Sequence, residues 1–549
     1  MSRKVIGAAL AATAVASVAV AGGLASSDGP VFTDVPSANP KAAGYAPASI
    51  LSRELREQIV AEGSTAVENP QGIVTHYGYE NDLPSADNPA VPQMTPTPTS
   101  AAEAQKTEPD KNTYLVLRNQ KGADANYDYG SHFLFQGHEA GAAVTGGKQG
   151  LITRINLDAD DAHRVTLMAT QDSTGAPIAP IDGSTWDPFA QRLLFTTENS
   201  SAPTYAATVG YPSTVTDISG ALGRGGYEGI QDSGDGSIWI VEDVGGAIKA
   251  GSTAAKRPNS FIYRYVPRRP GDLANGKLQV LQVLNSAGAP ITFESQATFP
   301  SADQNALHAY GSSFNTKWIT IHDTATDGTT PFQANALAKA AHGTPFKRPE
   351  NGVFRPGTHF GEFYFTETGD TDATSSEDPN GQGGFGSLFK LSQRDPSSSS
   401  GKISVFYQGD LQHTGFDNIT FVSRDQLLVV EDAGDTLHKQ RNALDSGYEF
   451  DVNADYSKPN AKPVRFIAEG RDFAATLDSA FGGFGKNEGD NELTGMHVSD
   501  GDAGTDGILG AKSPHFGDDS KWRMFYTQQH GENRTWEITS VSGHHGGDN

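Results

Sequence analysis

No cysteine occurs anywhere in the 549 residues. Disulfides, thiolate nucleophiles and cysteine metal ligands are therefore excluded, and stability has to come from a core that a chain of this length can build. Methionine is scarce at 5 residues, and positive charge is in deficit: 41 Lys and Arg stand against 65 Asp and Glu, a formal net charge of −24. That balance argues against general affinity for nucleic acid backbones or anionic membranes. An acidic surface accounts for it, and so would acidic side chains gathered to hold cations. No nucleophile-elbow serine, phosphate-binding glycine loop or dinucleotide fingerprint stands in a suitable context.

What is abundant is turn chemistry. The chain has 62 Gly and 30 Pro with 36% hydrophobic residues, which favours many short strands joined by turns over a helical bundle. The expected class is all-β. At the N-terminus, Arg3 and Lys4 precede the small apolar run "VIGAALAATAVASVAVAGG", with "AVA" at 19–21 as a cleavage site. Residues 1–21 thus read as an export signal rather than a stable membrane span, and imply a secreted, periplasmic or cell-envelope protein. The N-terminal segment 22–83 contains "SILSRELREQIVAEG" (49–63), which predicts a short helix capped by Ser49 or Ser52 and ended by Gly63. Residues 84–112, rich in Pro, Ser, Thr and Ala, read as a linker. Strand-like sequence then fills 113–549, and the tail "SGHHGGDN" reads as a frayed end.

Apolar runs that end in acids recur through this region. "LLFTTEN" (193–199), "IWIVEDV" (238–244), "FYFTETG" (363–369) and "LLVVEDA" (427–433) share one shape, and each follows another polar-headed strand. The pairs run from Asp187 to Glu198, Glu228 to Glu242, Glu350 to Glu367 and Asp417 to Glu431. A fifth candidate, "ALHAYGSSFNTKWITIHD", has His308 and His322 in the equivalent places, and a sixth runs from "DNELTGMHV" to Gln528 in "MFYTQQH". In an antiparallel hairpin, the start of the first strand and the end of the second lie at one end of the ladder. Six such hairpins arranged radially, as in a six-bladed β-propeller with insertions, would bring these polar residues to the mouth of one channel. For a single residue, a strand simply ending at a solvated loop is an equal reading. For the set it is weaker, because turns need Asp, Asn or Gly but have no special use for Glu.

Carboxylates facing one another repel unless cations neutralise them, and an oxygen-only ligand set suits hard cations such as calcium. Arg348 lies two residues before Glu350, on the same face if the backbone is a strand; it reads either as an anion-gripping fork or as a surface ion pair. His138 and Glu139 end another apolar strand in "FQGHEAG", where a ligand or proton donor competes with a plain loop. "DGDAGTDG" (500–507) has Gly504 and Thr505 where a calcium loop needs an acid and a glycine, and reads as an acidic surface loop.

The ordered pieces "FLFQGHE", "TWDPFAQRLLFTTEN", "GGYEGIQ…IWIVEDVGG", "FKRPENG" and "FDNITFVSRDQLLVVED" resemble the PhoX-type alkaline phosphatases from about residue 113 onward. The resemblance implies a secreted six-bladed propeller with a calcium and iron cluster in its channel, hydrolysing small phosphate esters. It matches Arg348 to a phosphate-gripping arginine and Glu350 and Glu228 to metal ligands. It also implies an iron-binding cysteine where Thr197 stands and a substrate-binding asparagine where Gly137 stands. Iron is in doubt on that ground; calcium is not. The expectation is an exported, monomeric, calcium-dependent phosphoesterase: Glu139, Glu198, Glu228, Glu350, Asp417 and Glu431 on metal, Arg348 on phosphate, and His138 near the leaving group. Two alternatives stay open, a metal-dependent lactonase-type hydrolase and a non-catalytic calcium-stabilised propeller that binds a partner.

Overall fold

The computed structural model describes residues 29–37, 49–80, 105–253, 255–294, 300–371, 384–441, 443–469, 492–529 and 533–541. The expected export signal, most of the linker and the C-terminal tail lie outside the described residues. Strands dominate and the few helices are short. No helix among the described residues is long and apolar enough to cross a membrane.

Among the described residues, six strands start the units of the architecture: β1 (Pro109–Val116), β2 (Ser184–Asp187), β3 (Tyr227–Asp232), β4 (Gly352–Phe354), β5 (Phe416–Phe421) and β6 (Glu492–Ser499). From each of them, antiparallel strands run outward in sequence order, as in 227–232, 238–242, 262–267 and 276–284. The six starting strands lie side by side in a closed ring in which β1 touches both β2 and β6. The fold is a β-propeller, and its apolar faces pack between successive sheets. Trp239, for example, packs edge-on against Trp318 at 4.9 Å and Phe354 at 5.0 Å, so that one indole joins two units.

Two expectations are corrected here. Residues 49–63 form no helix; Ile50–Leu51 and Leu55–Ala61 are strands. Leu55–Ala61 pairs antiparallel with Arg534–Ser540 and so adds the outer strand to the last unit, while Ile50–Leu51 pairs with Val464–Ala468 on the unit before it. Ladder bonds and burial of Leu55 and Ala61 outweigh the helix propensity of the Glu- and Arg-rich run. The hairpin expected around His308 and His322 is also absent. Ala302–Leu307 is a helix capped by Ser301, and Phe314–Asp323 is one long strand joining the outer edges of the third and fourth units. His322 stacks on Phe332 at 3.8 Å, away from the ring. The units at Tyr227–Asp232 and Gly352–Phe354 adjoin directly, and the remaining unit of the ring is built from Pro109–Val116 and His132–His138, between the last unit and Ser184–Asp187; the first of its strands begins inside the segment read as linker.

Candidate metal centre

The ring strands are not regular at the ends where they carry acids. Register shifts fall between Tyr227 and Ile230, between Phe416 and Ile419 and between Pro109 and Asn112. Glu228, Asp417, Asp110 and Lys111 lie inside those irregular stretches, and such bulges re-aim side chains that regular alternation would point into a sheet. Gly229 makes this possible in β3: its N–H donates to the Glu350 carbonyl at 2.7 Å, and a Cβ there would stand 2.6 Å from the same oxygen. The backbone contact that only glycine permits thus sets Glu228 and Glu350 side by side.

Three groups of carboxylates result. Glu139, Asp182 and Glu198 form one, Glu198, Glu228 and Asp243 a second, and Glu228, Glu350 and Asp417 a third; in each, one ligand oxygen per residue lies within 4.8 Å of the others. Glu198 and Glu228 are shared, so the groups form a continuous chain of acids. Burial pushes Asp182, Glu198, Glu228 and Glu350 well above the usual carboxylate range, and neighbouring carboxylates push them further. Asp417 is raised to about 8, by burial first and then by Asp110 and Asp432. Asp182 Oδ1 and Asp417 Oδ2 are buried without a hydrogen-bond partner. Orphaned anionic oxygens that repel one another fit a hard cation, which would supply the missing contacts.

Two cations face this chain. Arg348 has a left-handed backbone, φ 52°, rather than the strand expected, yet its side chain still reaches Glu350. Its Nε donates to Asp243 at 2.9 Å, and its Nη2 lies 2.7 Å from Asp243 and 3.1 Å from Glu350; Nη1 donates to Thr371 at 3.2 Å. Burial alone would lower its pKa, but Asp243 and Glu350 outweigh it and raise it well above normal. The side chain remains 20% exposed. Lys111 is fully enclosed; its Nζ donates to Asn351 Oδ1 at 2.5 Å, and Asn351 Nδ2 donates in turn to Glu228 and Asp417 at 3.2 Å each. Burial lowers the Lys111 pKa, and Asp417 and Glu228 oppose that fall.

Of the residues expected at the site, Glu139, Glu198, Glu228, Glu350, Asp417 and Arg348 are brought together. Glu431 is not. Its carboxylate accepts from Arg441 at 2.9 and 3.0 Å and from the N–H groups of Thr414 and Ser446, which fills its acceptor positions inside its own unit. Glu242 and Glu367 are likewise turned inward, onto Phe261 N and Lys347 N. In "VED" it is the second acid that reaches the channel, Asp243 rather than Glu242, because neighbouring residues point to opposite sides. His138 is also corrected: it is buried between the Thr107 and Thr153 hydroxyls at 2.9 and 2.8 Å, and burial takes its pKa down to about 3. It cannot serve a leaving group from there. Asp187 sits at the far end of β2, where it caps Phe189 and Ala190; Asp182, just before β2, occupies the position expected of it.

Asp243, Lys111 and Asn351 also belong to the site, beyond the residues expected there. The doubled acid of "VED" was a usable signal for the first; only the bulge and long-range contacts bring in the others.

Residues 236–503 match the family of alkaline phosphatase PhoX. The PhoX resemblance read from the sequence is thereby borne out over a span that holds Asp243, Arg348, Glu350 and Asp417. Among solved structures, Pseudomonas fluorescens PhoX in complex with vanadate, a transition state analogue, matches at TM-score 0.53 and 12% identity, over 94% of this chain and 99% of that one. At that identity the likeness shows the fold alone. An auxiliary nutrient binding protein from Bacteroides thetaiotaomicron matches at TM-score 0.34 and 10% identity, over 88% of this chain and 76% of that one, too remote to carry an argument. No curated protein sequence matches.

Both departures from the PhoX pattern have physical counterparts. Thr197 turns its hydroxyl to the Pro203 carbonyl at 3.2 Å, and an oxygen-only ligand set does not reproduce a thiolate iron site. A side chain at Gly137 would meet Ile181 Cγ2 at 2.1 Å, so Ile181 fills the space that an asparagine would need.

Proposed function

We propose that the protein is an exported, calcium-dependent phosphoesterase acting on small phosphate esters at this chain of carboxylates, on a propeller of six blades. The observation that carries the reading is the set of three acid groups sharing Glu198 and Glu228, with orphaned buried oxygens on Asp182 and Asp417, beside an arginine locked in place. Export rests on the sequence of residues 1–21.

Glu139, Asp182, Glu198, Glu228, Asp243, Glu350 and Asp417 would hold the cations. Bound there, calcium would reverse the sign of the channel, attract a phosphoryl group and lower the pKa of water. The protein's own contribution is positioning. Asp243 and Glu350 hold the Arg348 guanidinium from one side and leave part of it exposed toward an anionic oxygen, an arrangement suited to phosphoryl transfer, where placement and charge neutralisation do most of the catalysis. Asn351 ties Lys111 to Glu228 and Asp417, keeping a positive charge against the acids and fixing their orientation.

The test is elemental analysis of purified protein paired with hydrolysis of a chromogenic phosphate monoester before chelation, after it and after calcium return. Turnover that follows bound calcium and vanishes in Arg348→Ala supports the proposal. Calcium bound at these acids without turnover of any phosphate ester would sink it.

A further inference from the structure

One cavity adjoins the acid chain and has no part in the reading so far. It has a volume of about 520 Å³ and is walled by three loops, at 146–148, 172–180 and 198–205. Glu139 and Glu198, both members of the first carboxylate group, form its inner end, so it opens directly off the metal centre. Its size is that of small-molecule pockets.

Part of the polar lining is already engaged within the protein. Asp172 Oδ1 is taken by Thr174 and Ala176, Asn199 Oδ1 by Ser201, and the Tyr205 hydroxyl accepts from Ala179 N at 3.1 Å. The apolar surface facing the cavity comes from Ala176, Pro177, Ala179, Pro180 and Pro203, with Tyr205 buried behind it. Prolines present flat apolar surface at no cost in side-chain entropy. Lys148, exposed at the rim, is the cation of this lining.

We propose that this cavity is the leaving-group pocket of the proposed phosphoesterase, and that it selects esters whose alcohol carries an apolar body over esters of small polar alcohols. The proposal rests on the phosphoesterase reading for the chemistry, but the pocket can be tested by binding alone. A phosphoryl group at the Glu139, Asp182 and Glu198 end would have its ester substituent directed into the cavity, where burial of a ring's carbon surface favours binding.

The test compares phenylphosphonate with methylphosphonate, neither of which is hydrolysed, by calorimetric titration of the calcium-loaded protein. The same protein is assayed with phenyl phosphate and methyl phosphate. Phenylphosphonate is expected to bind about tenfold more tightly than methylphosphonate, the discrimination that a few buried carbons supply. Ala176→Trp, at an exposed loop position that lines the cavity, fills the pocket and is expected to remove that advantage; its thermal midpoint, compared with wild type, monitors folding. Equal binding of the two phosphonates, or an advantage that survives Ala176→Trp in a folded protein, overturns the pocket. If phenylphosphonate is preferred and Ala176→Trp abolishes the preference while no ester is hydrolysed, the pocket stands and the phosphoesterase reading falls.

Discussion

Removing the cations should make stability depend on pH in a direction opposite to that of ordinary carboxylates. Asp417 lies at about 8 in the folded protein against an ordinary 3.8, because burial and neighbouring acids disfavour its charged form. Between those values the folded state keeps a proton that the unfolded chain releases, so stability falls as pH rises. From pH 6.5 to 8 the loss from Asp417 alone is about 2 kcal/mol, at 1.36 kcal/mol per pH unit, and Glu228 and Glu350, raised for the same reason, add to it. With an unfolding entropy of about 2.1 cal/mol/K per residue over some 500 residues, 1 kcal/mol corresponds to about 1 °C. The chelated protein should therefore melt at least about 2 °C lower at pH 8 than at pH 6.5. Saturating calcium should erase the difference, since it stabilises the ionised form. His308, whose pKa is raised by Glu367 against its burial, loses stabilisation in the same pH direction, but equally with and without calcium. The calcium-dependent part isolates the acid chain. Scanning calorimetry at the two pH values with chelator or calcium decides the matter: an identical calcium effect at both would refute the assignment of these acids as mutually repelling, cation-demanding groups.

Arg348→Lys should fail to restore ester turnover lost in Arg348→Ala, leaving both at least about a hundredfold below wild type in kcat/KM, because an ammonium cannot lie bidentate on Asp243 and still face substrate. Asp182→Asn should lower bound calcium per chain, read by elemental analysis, while leaving the circular dichroism spectrum in place; unchanged metal content would remove Asp182 from the ligand set. His138→Ala should cost about 1–3 kcal/mol in denaturant unfolding, since it removes a buried ring that bonds the Thr107 and Thr153 hydroxyls, of which Thr107 keeps only its bond to the Tyr77 carbonyl. The pH profile of turnover should not move with it. Leu55→Ala should cost about 2–4 kcal/mol by loosening the closing strand, with no change in the ratio of phenyl to methyl ester turnover.

How far the sequence could be read depended on the range of the interactions. The acid-ended strands marked the hairpins at Glu228, Glu350 and Asp417 because period-2 patterning and turn residues are local. Asp243 was displaced by one position, Glu242 being chosen, since strand pattern alone does not say which face meets the channel. Glu431 was misplaced because Arg441, ten residues on, claims it through a helix and loop whose packing is tertiary. The 49–63 segment was misread for a similar reason: its partner strand lies at 534–540, and no local propensity encodes a pairing across that distance. Lys111 escaped notice because a lysine is almost always solvated, and only the enclosed ring makes this one exceptional.

The pairing of Leu55–Ala61 with Arg534–Ser540 makes the two ends of the β-domain a single seam. Until residues 534–540 have been made, the early strand has nothing to join, so this seam forms only after the strands that line the ring have been synthesised. Glu228 and Asp417 sit on different strands of that ring, so a break at the seam would reach the metal centre as a loosening of the spacing that a cation has to span.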